Sequence, residues 1–174
     1  RSSTVQARRS GYRTLMGYRT RAWREAYGEI ELVVGPQHMN SIGLVHGGVY
    51  ASLLDVALGS AVSFCGAPGR ARYSTTVSLT TTFLKSTASG LLVAIGRVDA
   101  VEGRLATASG QVTDGAGTLL AVAQGSFLYF PGSEHAQGVP KRSVTMPKDS
   151  AQKVSPSGIC TLPPSARALN TRRP

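Results

Sequence analysis

The sequence predicts an α+β fold in which one long central helix is wrapped by a single curved antiparallel sheet. Three observations predict it. From Val49 to Cys65, Leu, Ala and Val run nearly all the way round the helical circle, the mark of a helix surrounded by protein. Val77, Leu79 and Phe83 then alternate with Thr76, Ser78, Thr80 and Thr82, as a half-buried strand should. Three further strand-like runs, Leu91–Val101, Leu105–Thr113 and Thr118–Phe130, are set apart by short turn sequences.

In chain order, residues 18–34 read as two short strands with a turn near Trp23–Gly28. Glu29-Ile30-Glu31-Leu32 alternates polar and apolar, and Gly35-Pro36 ends the run. A loop over 37–45 follows. Gly47-Gly48 opens the helix and Gly66-Ala67-Pro68-Gly69 stops it. The separators Ala88-Ser89-Gly90, Glu102-Gly103 and Asp114-Gly115-Ala116-Gly117 have hairpin chemistry, so the four strands after the helix are expected to form a meander. Three regions result: a basic N-terminal segment (1–17), one folded domain (18–131) and a basic tail (132–174). The tail's Pro, Ser, Lys and Arg show no period, and it is expected to be disordered.

A formal charge of +10 points towards nucleic acid until it is located. Residues 1–24 hold seven Arg and no acid, and residues 132–174 hold seven Lys or Arg and two acids. The centre is left with five basic and seven acidic residues. Its strands show no groove of interleaved basic and aromatic residues, so no specific nucleic-acid partner is expected. The Arg- and Ser-rich start resembles an organelle transit peptide and equally a truncated bacterial N-terminus. No apolar run is long enough to span a membrane. Cys65 and Cys160 fall in a helix and a tail, an improbable disulfide pair, which favours a reducing, cytoplasmic setting. His38, His46 and His135 lack metal-ligand spacing with either cysteine, so no metal or cofactor is expected, and His38 reads as structural.

The chemistry concentrates between Asn40 and Asp55. Asp55 is the single acidic side chain from Gly43 to Gly69 and lies within the apolar helix. Such a carboxylate needs partners, a shifted pKa or solvent. It reads equally as a functional group or as a member of a solvated stripe with Ser52 and Gly59. Gly47 and Gly48 place amide donors where a helix begins, suited to polarising a carbonyl and holding an oxyanion. Gly47 and Asp55 are eight residues apart, about 12 Å along one helix, too far to meet at one carbon atom. Two antiparallel copies would bring Gly47 of one against Asp55 of the other. There is no G-x-S-x-G elbow, P-loop or dinucleotide fingerprint to support another chemistry.

Asn40, His46, Gly47, Gly48 and Asp55 form Asn-x5-His-Gly-Gly-x6-Asp. With Thr82-Phe83-Leu84-Lys85, Gly103-Arg104 and Asp114–Ala121, this pattern resembles the hotdog thioesterases of the phenylacetate-pathway (PaaI-like) type over about residues 18–130. The resemblance implies a hotdog fold and hydrolysis of acyl-CoA thioesters. Asp55 would act as general base or nucleophile, the Gly47 amide would polarise the thioester carbonyl, and Asn40 and His46 would shape the site. A hydroxyl on the first strand after the helix would position water: Thr76 by counting back from Phe83, with Ser74 and Thr75 as alternatives. Gly48, Lys85 and Arg104 are the candidates for holding substrate. The family habit implies a homodimer or homotetramer with shared sites. A noncatalytic acyl-CoA-binding hotdog protein is the alternative reading.

Overall fold

The computed structural model describes residues 11–141. The Arg- and Ser-rich start over 1–10, Cys160 and the tail beyond 141 lie outside the described residues. Helix α1 (Gly11–Met16) precedes strands β1 (Arg19–Arg24) and β2 (Tyr27–Val33). Helix α2 (Gly47–Val62) comes next, then β3 (Arg70–Ala71), β4 (Ser74–Phe83), β5 (Leu91–Glu102), β6 (Leu105–Asp114), β7 (Leu119–Tyr129) and β8 (Val139–Pro140). Six strands form one antiparallel sheet in the order β1-β2-β5-β6-β7-β4. Among the described residues no helix is long and apolar enough to cross a membrane.

Helix α2 lies against one face of the sheet. Leu53, Leu54, Ala57, Leu58 and Val62 are fully buried on it, meeting Ile30, Leu92, Ala94, Ala106 and Val112 from the strands. Each large aliphatic side chain buried this way contributes about 1.5–3 kcal/mol. A row of glycines lets the helix come close. Gly28 is registered with Gly96, and Gly96 with Gly110, across β2, β5 and β6. A Cβ on Gly28 or Gly96 would stand 2.5–2.6 Å from the Ala57 backbone carbonyl oxygen. Glycine here is required by contact with helix backbone.

Helix ends need partners for their orphaned backbone groups. His46 caps the start, its Nδ1 accepting the Gly48 N–H at 2.9 Å. At the far end the Trp23 indole donates to the Ser60 carbonyl (2.8 Å) and the Tyr129 hydroxyl to the Val62 carbonyl (2.7 Å).

Four expectations change. Helix α2 ends at Val62 with Ser63 as its cap, so Cys65 lies beyond the helix and not in it. The strands after α2 are not a four-strand meander. Strands β5, β6 and β7 are consecutive neighbours, but β4 crosses to the far side of β7 and forms the edge. Ala88-Ser89-Gly90 therefore belongs to a crossover connection, not a hairpin. Strand β4 also departs from strict alternation. Its register against β7 slips between Thr76 and Ser78, so two residues oppose one. Finally, residues 132–141, assigned above to the tail, form a strap. Strand β8 pairs with β3, and Arg70 donates Nε to the Gln137 carbonyl and Nη2 to that of Gly138, both at 2.6 Å. Helix α1, within the basic N-terminal segment, is likewise part of the fold: Tyr12 and Ser52 share a hydroxyl hydrogen bond of 2.5 Å, and Met16 packs on the core.

Candidate active site

Asp55 lies on the half-buried side of α2, between the fully buried Leu54 and Leu58. The Thr76 hydroxyl donates to its Oδ1 at 2.8 Å. The β4 slip makes this possible. Leu79 packs on the core and Phe83 meets Gly47, so the helix-facing side of β4 carries odd-numbered residues beyond the bulge. Unbroken alternation would turn Thr76 to the outer face. One inserted residue returns it to the side where Asp55 waits, as bulges beside functional sites do. Sequence reading named Thr76 by counting, but the bulge left no sequence signal. Ser74 also borders the crevice beside Asp55, whereas no contact joins Thr75 to it.

The loop before α2 is braced by Asn40. Its Oδ1 accepts the backbone N–H groups of Ile42 (3.0 Å) and Leu44 (3.1 Å), while its backbone N–H reaches the Leu44 carbonyl at 2.8 Å. This is an Asx-type turn. The carbonyl end is thus committed, and the amide NH2 end is the one able to reach a ligand. His46 is exposed, with Nδ1 occupied as an acceptor; the proton of its neutral form therefore sits on Nε2. His38, buried, accepts the Gly35 N–H at Nδ1 (2.8 Å) and meets the Met16 carbonyl through Nε2 (2.9 Å). Its role is structural.

The two glycine amides are not equivalent. Gly48 gives its N–H to the His46 cap. Gly47, the first helical residue, has no intrahelical acceptor, and no partner for its N–H occurs among the described residues. The Phe83 ring lies 3.5 Å from where a Gly47 Cβ would be. Gly47, Tyr50, Phe83 and Lys85 together line a shallow pocket of about 330 Å³. Burial pushes the Tyr50 phenol up, against the smaller opposing effect of its bond to the Thr87 N–H.

The sequence-named residues thus fall into two groups. Asp55, Thr76 and Ser74 meet halfway along α2; Asn40, His46, Gly47 and Lys85 gather at its N-terminus. Arg104 is elsewhere. Its Nε donates to the Tyr129 carbonyl, and Tyr129 is registered with Ser74 at the start of β4. Lys85 follows the other end of β4, so the two cations are about 30 Å apart along the strand. One chain cannot set both on one ligand. A larger concavity of about 500 Å³ crosses the outer sheet face, lined by Thr80, Arg97, Gln111 and Gln124, and holds none of these residues.

Arg72, Ser60 and Phe127 are not among the residues named from the sequence. They share a crevice of about 330 Å³ with Asp55, Thr76 and Ser74. No motif marks them. Only the folded chain brings the loop before β4 beside the second half of α2.

Comparison with known proteins agrees with this architecture. Residues 42–121 match the family model described as the thioesterase superfamily. A structure of a conserved protein from Pseudomonas aeruginosa superposes with a TM-score of 0.65 at 27% identity, covering 70% of this chain and 95% of that one. The PaaI protein of the E. coli phenylacetic acid degradation operon superposes with a TM-score of 0.61 at 20% identity, covering 70% of this chain and 85% of PaaI, a likeness of fold. An Archaeoglobus fulgidus protein provisionally named an esterase is 28% identical over 113 residues, 64% of this chain and 70% of its own. The fold is the hotdog fold, and residues 42–121 of the chain are similar to the thioesterase superfamily. The chain is a hydrolase, with thioester hydrolysis as its general chemistry.

Proposed function

We propose that the chain hydrolyses acyl-CoA thioesters at sites shared between two copies, with Asp55 as the catalytic carboxylate. The observation that carries this reading is the hydrogen bond from Thr76 Oγ1 to Asp55 Oδ1, on a helix face open to ligand. It fixes one carboxylate oxygen and leaves Oδ2 to face a water or the acyl carbon.

As general base, Asp55 takes a proton from water while the oxygen attacks the acyl carbon. The carbonyl oxygen becomes an oxyanion, which the unpaired Gly47 N–H of a second copy stabilises, helped by the positive end of α2. Collapse breaks the C–S bond, and the thiolate recovers the proton from Asp55. As nucleophile, Asp55 would instead form a mixed anhydride that water opens. The 12 Å between Gly47 and Asp55 along one helix is why a second copy is invoked. Strand β4, at the sheet edge with Val77, Phe83 and Leu84 more than half exposed, offers the contact.

Purified protein is assayed by thiol release from phenylacetyl-, benzoyl- and medium-chain acyl-CoA. Asp55→Ala is expected to lose about a hundredfold or more in kcat. A variant as fast as the parent ends the mechanism. Calorimetric binding of CoA esters with no thiol release across the panel would instead make the chain a binding protein.

A further inference from the structure

We propose that the crevice beyond Asp55 receives the acyl group, and that Arg72 in its wall selects acyl chains terminating in a carboxylate. The proposal rests on the acyl-CoA reading and names its substrate class.

The crevice is lined by charges of both signs. Asp55, bonded to Thr76, and Arg72, four residues before Thr76, share its wall with Ser60, Ser74 and Phe127. The Arg72 guanidinium carbon lies 4.4 Å from the centre of the Tyr129 ring, and the Tyr129 hydroxyl is bonded to the Val62 carbonyl. Val62 is seven residues past Asp55, about 10 Å of helix rise. A chain attacked beside Asp55 therefore has its tail near Arg72. Hydroxyl-bearing residues, Ser60 and Ser74, line the way alongside Phe127, so the wall suits a short chain with a polar end better than a long hydrocarbon.

Arg72 is held but not neutralised. Its Nε donates to the Ser133 carbonyl and its Nη2 to that of Glu134, both at 3.0 Å. These uncharged acceptors fix the guanidinium plane without cancelling its charge. No ion pair among the described residues includes Arg72. Its third nitrogen, Nη1, is left for a ligand. A half-buried, preorganised guanidinium is a strong site for a carboxylate. The same carboxylate is repelled by Asp55, so the acyl chain must be long enough to separate them.

The experiment compares glutaryl-CoA with hexanoyl-CoA and adipoyl-CoA with heptanoyl-CoA, pairs of similar length that differ in terminal charge. Thiol release gives kcat/KM for each ester with wild type, Arg72→Lys and Arg72→Gln. The ratio within a pair, measured on one preparation, does not depend on how much of the protein is folded. The strap keeps its Arg70 anchor in these variants. Wild type is expected to favour the dicarboxylic ester by about tenfold or more, as a site built to pair a polar group does. Arg72→Gln should collapse that ratio, Arg72→Lys should retain part of it, and malonyl-CoA should be poor with wild type. Equal or better use of the neutral esters by wild type, or a ratio unchanged in Arg72→Gln, overturns the proposal while leaving the thioesterase reading intact. Release from none of these or the earlier esters overturns both.

Discussion

The two oxygens of the Asp55 carboxylate have different surroundings, and much of the proposed chemistry follows from that. Oδ1 is tied to the Thr76 hydroxyl; Oδ2 is not. Thr76→Val removes the hydroxyl at nearly constant volume and should lower kcat by about tenfold or more, the worth of a hydrogen bond to a charged group. Thr76→Ser keeps the donor and should restore most of the rate. If Val and Ser variants behave alike in steady-state assays, Thr76 only packs. Gly47 allows a sharper test. It is the first helical residue, a position proline favours, and His46 before it already has the extended backbone (φ −64°, ψ 137°) that precedes proline. The nearest contact of an added Cβ is the Phe83 ring at an ordinary 3.5 Å. Gly47→Pro therefore deletes one N–H while sparing the helix. We expect helicity by circular dichroism to match the parent and kcat to fall by about a hundredfold, as for loss of one oxyanion donor. Gly48→Ala differs in kind: its Cβ would stand 2.9 Å from His46 Nδ1 and disturb the cap itself.

At the scale of elements, the glycine row and the β6–β7 turn each yield an expectation. Gly96→Ala drives a methyl to within 2.6 Å of the Ala57 and Leu58 backbone, where no side chain can yield. A cost of about 3 kcal/mol or more is expected, at the upper end for overpacking, and urea unfolding reads it directly. The turn depends on Asp114, whose Oδ1 accepts the N–H groups of Thr118 (2.8 Å) and Ala116 (2.9 Å). The Thr118 backbone bond, then the Thr118 side chain, the Ala116 N–H and the Lys85 charge, outweigh desolvation and hold its carboxyl below the ordinary range. A depressed folded-state pKa adds stability that is complete above the unfolded value and is lost as pH falls through the folded one. The melting-temperature gap between wild type and Asp114→Asn should thus be open near neutral pH and narrow as pH falls below the ordinary aspartate range. A gap constant with pH removes the charge from the account. These elements also show what the sequence discloses. The α2 start and the β5–β7 runs were legible because burial on one helix and on alternating strand faces leaves a period in the sequence, whereas α2 stops at Val62, short of the Cys65 expected from its apolar run. The placement of β4 beside β7 and the bulge at Val77 left none, since both follow from how the sheet closes on the helix. So Thr76 could be named only by counting, and Arg72 not at all.

For the whole molecule, the issue is whether one chain is a complete enzyme. Gly47 and Asp55 share a rigid helix with buried Leu53 and Leu54 between them, so no local motion of one chain closes their separation. A symmetric pair solves this, because each element of an isologous contact occurs twice in opposite sense. Two defects placed in different chains must then complement. Asp55→Ala lacks the carboxylate but keeps its amide; Gly47→Pro lacks the amide but keeps its carboxylate. Mixed, unfolded and refolded together in equal amounts, half of the dimers become heterodimers, and one of the two sites in each draws both intact groups. Activity should rise from near zero to about a quarter of wild type. Dilution below the dimer dissociation constant should abolish it. Were both groups used within one chain, every site in the mixture would carry one defect, and no recovery could occur. Thiol release from the refolded mixture therefore separates a shared site from a self-contained one, whatever acyl group the crevice prefers.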